Sequence, residues 1–96
     1  MTLEEFQRHI EATYGTRDRA RGIDATFRRL VEEIGELARA LRDGDPVRLE
    51  EEISDVLAWT VTVASLRGVG VARAVDRYAR GCPRCGSVPC ACPPAP

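Results

Sequence analysis

Apolar residues recur along this chain at helical spacing. Leu3, Phe6, Ile10 and Tyr14 make a stripe that predicts a first helix over about residues 3–14. Thr2-Leu3-Glu4-Glu5 fits a capping box at its start. Gly15 and Gly22 then bracket an Arg-rich connector with Arg17, Asp18, Arg19 and Arg21. In the second predicted helix, Phe27, Leu30, Val31, Ile34, Leu37, Ala38 and Leu41 follow i, i+3, i+4, i+7 spacing and mark its core face. Asp24 or Thr26 would cap it. Asp43-Gly44-Asp45-Pro46 ends it and starts the next, with Gly44 suited to the C′ position, Asp45 to the N-cap and Pro46 to the first turn. So short a link predicts an antiparallel helical hairpin. The third helix is expected over about residues 46–67, burying Leu49, Ile53, Val56, Leu57, Thr60, Val63 and Ala64. Val71, Ala74, Val75 and Tyr78 suggest a short fourth helix ending at Gly81. The expected organisation is one all-α domain over residues 1–80, followed by a Cys- and Pro-rich tail over residues 81–96.

Composition narrows the function. Ninety-six residues allow one small domain. Such a chain buries a limited share of its surface, so association with another subunit is expected. The net charge of −1 argues against a nonspecific nucleic-acid binder. No apolar run approaches the ~20 residues needed to span a bilayer, and no signal-peptide pattern is visible. A cytoplasmic location without membrane attachment is the default expectation. All fourteen basic residues are Arg, which suits bidentate phosphate contacts.

The candidate chemistry lies in Glu33-Ile-Gly-Glu36 and Glu52-Ile-Ser-Asp55. Each motif sets two carboxylates on one helical face. None of the four has an Arg at i+4, the stabilising order, and Glu32/Glu36 and Glu51/Asp55 are like-charge i, i+4 pairs that cost helix stability. Such a cost, accepted twice in one hairpin, suggests a cation. Oxygen ligands of this kind suit hard divalent ions, and Mg²⁺ in particular shares its shell with substrate phosphates. The competing reading is solvated acids on amphipathic helices.

The segment Thr26-Phe-Arg-Arg-Leu-Val-Glu-Glu-Ile-Gly-Glu-Leu-Ala-Arg-Ala-Leu41, followed after a short loop by Glu51-Glu-Ile-Ser-Asp-Val-Leu57, resembles the MazG family of nucleotide pyrophosphohydrolases. The family is marked by ExxE followed by ExxD. The resemblance spans roughly residues 2–80. It implies an all-α fold in which helices from two subunits build a bundle, as a homodimer or tetramer. It implies Mg²⁺ held by Glu33, Glu36, Glu52 and Asp55, and hydrolysis of a nucleoside triphosphate to the monophosphate and pyrophosphate. Glu33 or Glu36 would serve as the base. Arg19, Arg21 and Arg29 are the candidates to face phosphate. Trp59 either stacks on a base or packs an interface, and packing is favoured. Some relatives carry Trp and Lys in the connector before the ExxE helix; here Arg19 and Thr26 stand thereabouts, and the base preference stays open.

Four cysteines fall in the tail. Cys82-Pro-Arg-Cys85-Gly86 looks like half a zinc knuckle, and Cys90-Ala-Cys92 supplies two more sulfurs for a structural Zn²⁺. A reduced, disordered tail and disulfides are the alternatives, the latter disfavoured in a cytosolic setting. His9, the sole His, reads as surface. Two other functions compete with the triphosphate hydrolase: a noncatalytic helical dimer recruiting a partner through a zinc tail, and a related hydrolase of a phosphoribosyl nucleotide.

Overall fold

A computed structural model describes residues 1–95; Pro96, the last residue of the tail, lies outside them. Three long helices, α1 (Leu3–Arg21), α2 (Ile23–Asp43) and α3 (Pro46–Leu66), are followed by a short α4 (Val71–Val75) and a 3₁₀ turn (Asp76–Tyr78). There is no strand among the described residues, so the fold is all-α. No single helix is long and apolar enough to cross a membrane.

The α2–α3 hairpin forms as its link dictates. Gly44 closes α2 in the left-handed conformation, φ 72°. The Asp45 carboxylate then accepts the amides of Val47 and Arg48 at the start of α3, with Pro46 in the first turn. The Thr2/Glu5 capping box opens α1.

Three expectations need correction. The first helix does not stop at Tyr14 but runs through the Arg-rich segment to Arg21. Glycine in a helix costs about 1 kcal/mol, and tertiary contacts outweigh that here. Gly15 is buried and leaves room for the Arg19 guanidinium, whose Nη1 lies 3.0 Å from where a Cβ would stand. One turn on, the buried Asp18 carboxylate accepts Arg21 Nη2 at 3.0 Å and lies 3.4 Å from the Thr62 hydroxyl of α3.

Second, neither Asp24 nor Thr26 caps α2. Gly22 alone separates α1 from α2, with φ 83° and ψ 172° and no side-chain cap. Thr26 is fully buried, donating to the Gly22 carbonyl at 2.7 Å and accepting from Arg21 Nη1 at 3.0 Å. Its hydroxyl thereby ties the two helices across the break.

Third, the apolar faces marked by periodicity are not enclosed within one chain. Phe27, Val31, Ile34 and Leu41 on α2 are 50–61% exposed, and Ile53 and Leu57 on α3 are 45% and 50% exposed. The buried residues of α3 are Val61 and Thr62, on the side that meets α1. The Cα radius of gyration, 15.7 Å, exceeds the ~13 Å of a compact domain this long.

Gln7 anchors the far end. Its buried amide donates to Ser65 Oγ and to the Val69 carbonyl, and accepts the Val71 amide, so α1 is clamped to the turn between α3 and α4. At the near end the single link Gly22 holds a backbone conformation that is essentially reserved for glycine. Gly22→Ala is expected to destabilise the fold by about 1–3 kcal/mol, read as a lower urea midpoint with an unchanged m-value.

Candidate metal centre

The hairpin brings three of the four predicted acids together. Carboxylate oxygens of Glu33 on α2 and of Glu52 and Asp55 on α3 lie within 4.8 Å of one another. Ligand oxygens around an octahedral Mg²⁺ stand at most ~4.2 Å apart, so oxygens gathered this closely need only small side-chain shifts to close on one ion. The Glu33 side chain is only 12% exposed. Glu52 Oε2 is buried with no hydrogen-bond partner. An orphaned buried carboxylate oxygen costs free energy, and a cation is the partner its chemistry calls for. The residues present therefore fit a hard divalent ion.

The electrostatics agree. Burial pushes the Glu33 carboxyl above its ordinary pKa; Asp55 and Glu52 push in the same direction, while Arg29 partly opposes them. Arg29 Nη2 lies 3.3 Å from Glu33, and its Nη1 is 2.6 Å from Glu32.

Glu36 stands apart from this group. Its carboxylate pairs with Arg39 on α2 and, at 3.4 Å, with Arg48 on α3. The Arg39 hydrogen bond, aided by Arg48, holds its pKa below the usual range. Arg48 also reaches Asp43 at 2.9 Å.

The predicted phosphate-facing arginines divide. Arg21 and Arg29 both lie over the ring of Trp59, with guanidinium carbons 4.7 and 5.2 Å from its centroid. Arg21 is fixed further by Asp18 and Thr26. Arg19 lies beside Thr16 in an adjoining cleft with Glu11 and Ser65, which shares Ile10, Asp18 and Thr62 with the cavity beside Asp55. Trp59 is half-buried and carries both guanidiniums against its ring. His9 is exposed.

Beside Asp55 opens a cavity of ≈ 280 Å³ lined by Tyr14, Arg17, Asp18, Arg21 and Trp59, among others. The sequence placed Tyr14 in the apolar stripe of the first helix and gave neither it nor Arg17 or Asp18 a place in the site, because the helix was expected to end at Tyr14. Carrying the helical period onward places Ile10, Tyr14, Arg17 and Arg21 at i, i+4, i+7 and i+11, on one face. That was the available signal.

A family model for the MazG nucleotide pyrophosphohydrolase domain matches residues 21–83, well over half of the chain. The chain belongs to the MazG family. No curated protein matches it. The matched MazG segment contains the whole acidic hairpin and supports nucleotide pyrophosphohydrolase activity in general terms. The Arg17 and Tyr14 side of the cavity comes from α1, outside the matched residues. The second group with metal-ligating spacing in this MazG chain is Cys82, Cys85, Cys90 and Cys92, in the tail.

The raised Glu33 pKa sets a pH dependence. The folded chain keeps this proton to a higher pH than the unfolded chain does. Its contribution to stability is therefore full below the unfolded carboxylate value, ~4.3, and is lost as pH rises through the folded value. In chelator, Glu33→Gln is expected to flatten this decline and to raise the melting temperature at neutral pH by a few degrees, as thermal unfolding across pH would show.

Proposed function

We propose that this protein is a Mg²⁺-dependent nucleoside triphosphate pyrophosphohydrolase, converting a ribo- or deoxyribonucleoside triphosphate and water to the monophosphate and pyrophosphate. The observation that carries this reading is the convergence of Glu33, Glu52 and Asp55, one of which, Glu52, has a buried and unpartnered Oε2. In this reading the three carboxylates hold the ion, and exchange of the Glu36 ion pairs for the cation completes the set the resemblance implies.

A bound Mg²⁺ would supply charge neutralisation at the phosphates and lower the pKa of a ligated water. The chain's own residues do the rest. Glu33 and Glu36 are the two candidate bases. Without the ion, burial and acidic neighbours raise the proton affinity of Glu33, and two guanidiniums lower that of Glu36; the base is the carboxylate that the ion leaves unligated. Arg29, and Arg21 held by Asp18 and Thr26, offer guanidinium donors to phosphate oxygens. The cavity walled by Trp59, Tyr14 and Arg17 is the place for the nucleoside.

The same reading makes the protein a homodimer or higher oligomer. The exposed stripe Phe27, Val31, Ile34 and Leu41, continued by Ile53 and Leu57, would form the core of a bundle shared between subunits.

Pyrophosphate release from a panel of ribo- and deoxyribonucleoside triphosphates, with and without Mg²⁺, tests the activity. Release should require the ion. Loss of a ligand forfeits several kcal/mol of transition-state stabilisation, so Glu52→Gln should lower kcat/KM by about 100-fold or more. Silence of folded, Mg²⁺-loaded protein across the panel would refute the reading.

Sedimentation tests the assembly. The wild type is expected as a dimer or larger at micromolar concentration, and Ile34→Glu as a dissociated, destabilised chain. A wild-type monomer there would remove the shared bundle.

A further inference from the structure

Among the described residues, the tail beyond Tyr78 has no helix or strand and no buried apolar side chain; Val88 is 80% exposed. Yet it brings four sulfurs to one point. All four cysteine Sγ atoms lie within 4.8 Å of one another. Cys82 and Cys92 are 3.7 Å apart, and Cys85 and Cys90 are 3.9 Å apart. These pairs share no atom, so they are opposite edges of the sulfur tetrahedron. A tetrahedral Zn²⁺ with Zn–S bonds of about 2.3 Å requires edges of about 3.8 Å. A disulfide requires about 2.05 Å. Both edges sit at the metal spacing, and all four cysteines are free.

The backbone around the sulfurs is arranged to the same end. The Gly86 amide donates to the Cys82 carbonyl at 2.7 Å, and the Cys82 amide donates to the Ser87 carbonyl at 3.1 Å. This tight reversal sets Cys82 and Cys85 on one side. The second pair returns over it, so closely that a Cβ on Gly81 would stand 2.8 Å from Val88 Cγ2. Amides of Ala91 and Cys92 point at Cys85 Sγ and Cys90 Sγ, at 3.3 and 3.4 Å. Such N–H groups disperse thiolate charge around a metal, the outer support that ligating groups require. Hydrophobic burial cannot hold so short a segment, whereas metal ligation can.

We propose that Cys82, Cys85, Cys90 and Cys92 bind one Zn²⁺ as a closed tetrathiolate site that folds the tail. Each thiol gives up its proton on ligation, leaving four thiolates around the ion and no open position for substrate or water. The site is structural. It is independent of the carboxylate centre, because soft thiolates select Zn²⁺ and hard carboxylates select Mg²⁺.

The test uses the full chain, purified under reducing conditions and dialysed against Zn²⁺. Elemental analysis is expected to give one zinc per chain, unchanged in Glu52→Gln. All four thiols should resist a thiol reagent until a strong chelator is added. Co²⁺ in place of zinc should give intense tetrahedral d–d absorption with sulfur-to-cobalt charge transfer. A Cys85→Ser/Cys90→Ser double variant should lose the zinc and keep its helical circular dichroism. Thiols that react at once in the zinc-treated wild type, a weak octahedral cobalt spectrum, disulfides in the intact mass, or zinc retained by the double variant would each overturn the proposal. Should the double variant fail to fold, the wild-type cobalt spectrum and thiol protection decide alone.

Discussion

Crowded carboxylates repel, and the α2–α3 hairpin imposes that condition on a largely buried Glu33, a half-buried Glu52 and an exposed Asp55. Here the helix positions are fixed by a two-residue link, and Glu52 Oε2 has neither water access nor a donor. The strain is local and electrostatic, so a cation relieves it directly. The rest of the centre is arranged around that fact. Arg29 offsets part of the charge on Glu33, and Arg39 and Arg48 take up the charge on Glu36.

The hairpin was legible in the sequence because its signals are short-range. Gly44, Asp45 and Pro46 specify a helix end, an N-cap and a first turn through their own backbone chemistry. The two acidic motifs then follow from helical period alone. Three of four acids converge as that period implies, while Glu36 is held by Arg39 one turn on and also by Arg48, twelve residues away across the hairpin. Helical spacing on one element says nothing of such a partner.

The first helix was misjudged for a related reason. Gly15 and the polar run after it lack the propensity that marks a helix, and what holds them helical is Asp18 bonding with Arg21 and α3. Tertiary contact overrode local preference, and with it Arg17 entered the cavity beside Asp55. The apolar stripe of α2 was read correctly as a hydrophobic face, but the pattern could not tell a face covered by the same chain from one left open. The tail was readable as a cysteine framework, since the C-x₂-C-G spacing carries its own turn chemistry; the opposed sulfur edges came only with coordinates.

The single-residue junction at Gly22 has a further consequence for how this protein can change. With α1 and α2 both helical up to that residue, there is no slack to absorb a miscount. One residue added or removed between Tyr14 and Gly22 would rotate the preceding part of α1 by about 100°, carrying Ile10 and Tyr14 out of phase with α3. The Gln7 clamp at the far end would resist that rotation. The α1 helix is thus geared to the hairpin at both ends, and this stretch should tolerate substitution far more readily than any change in length.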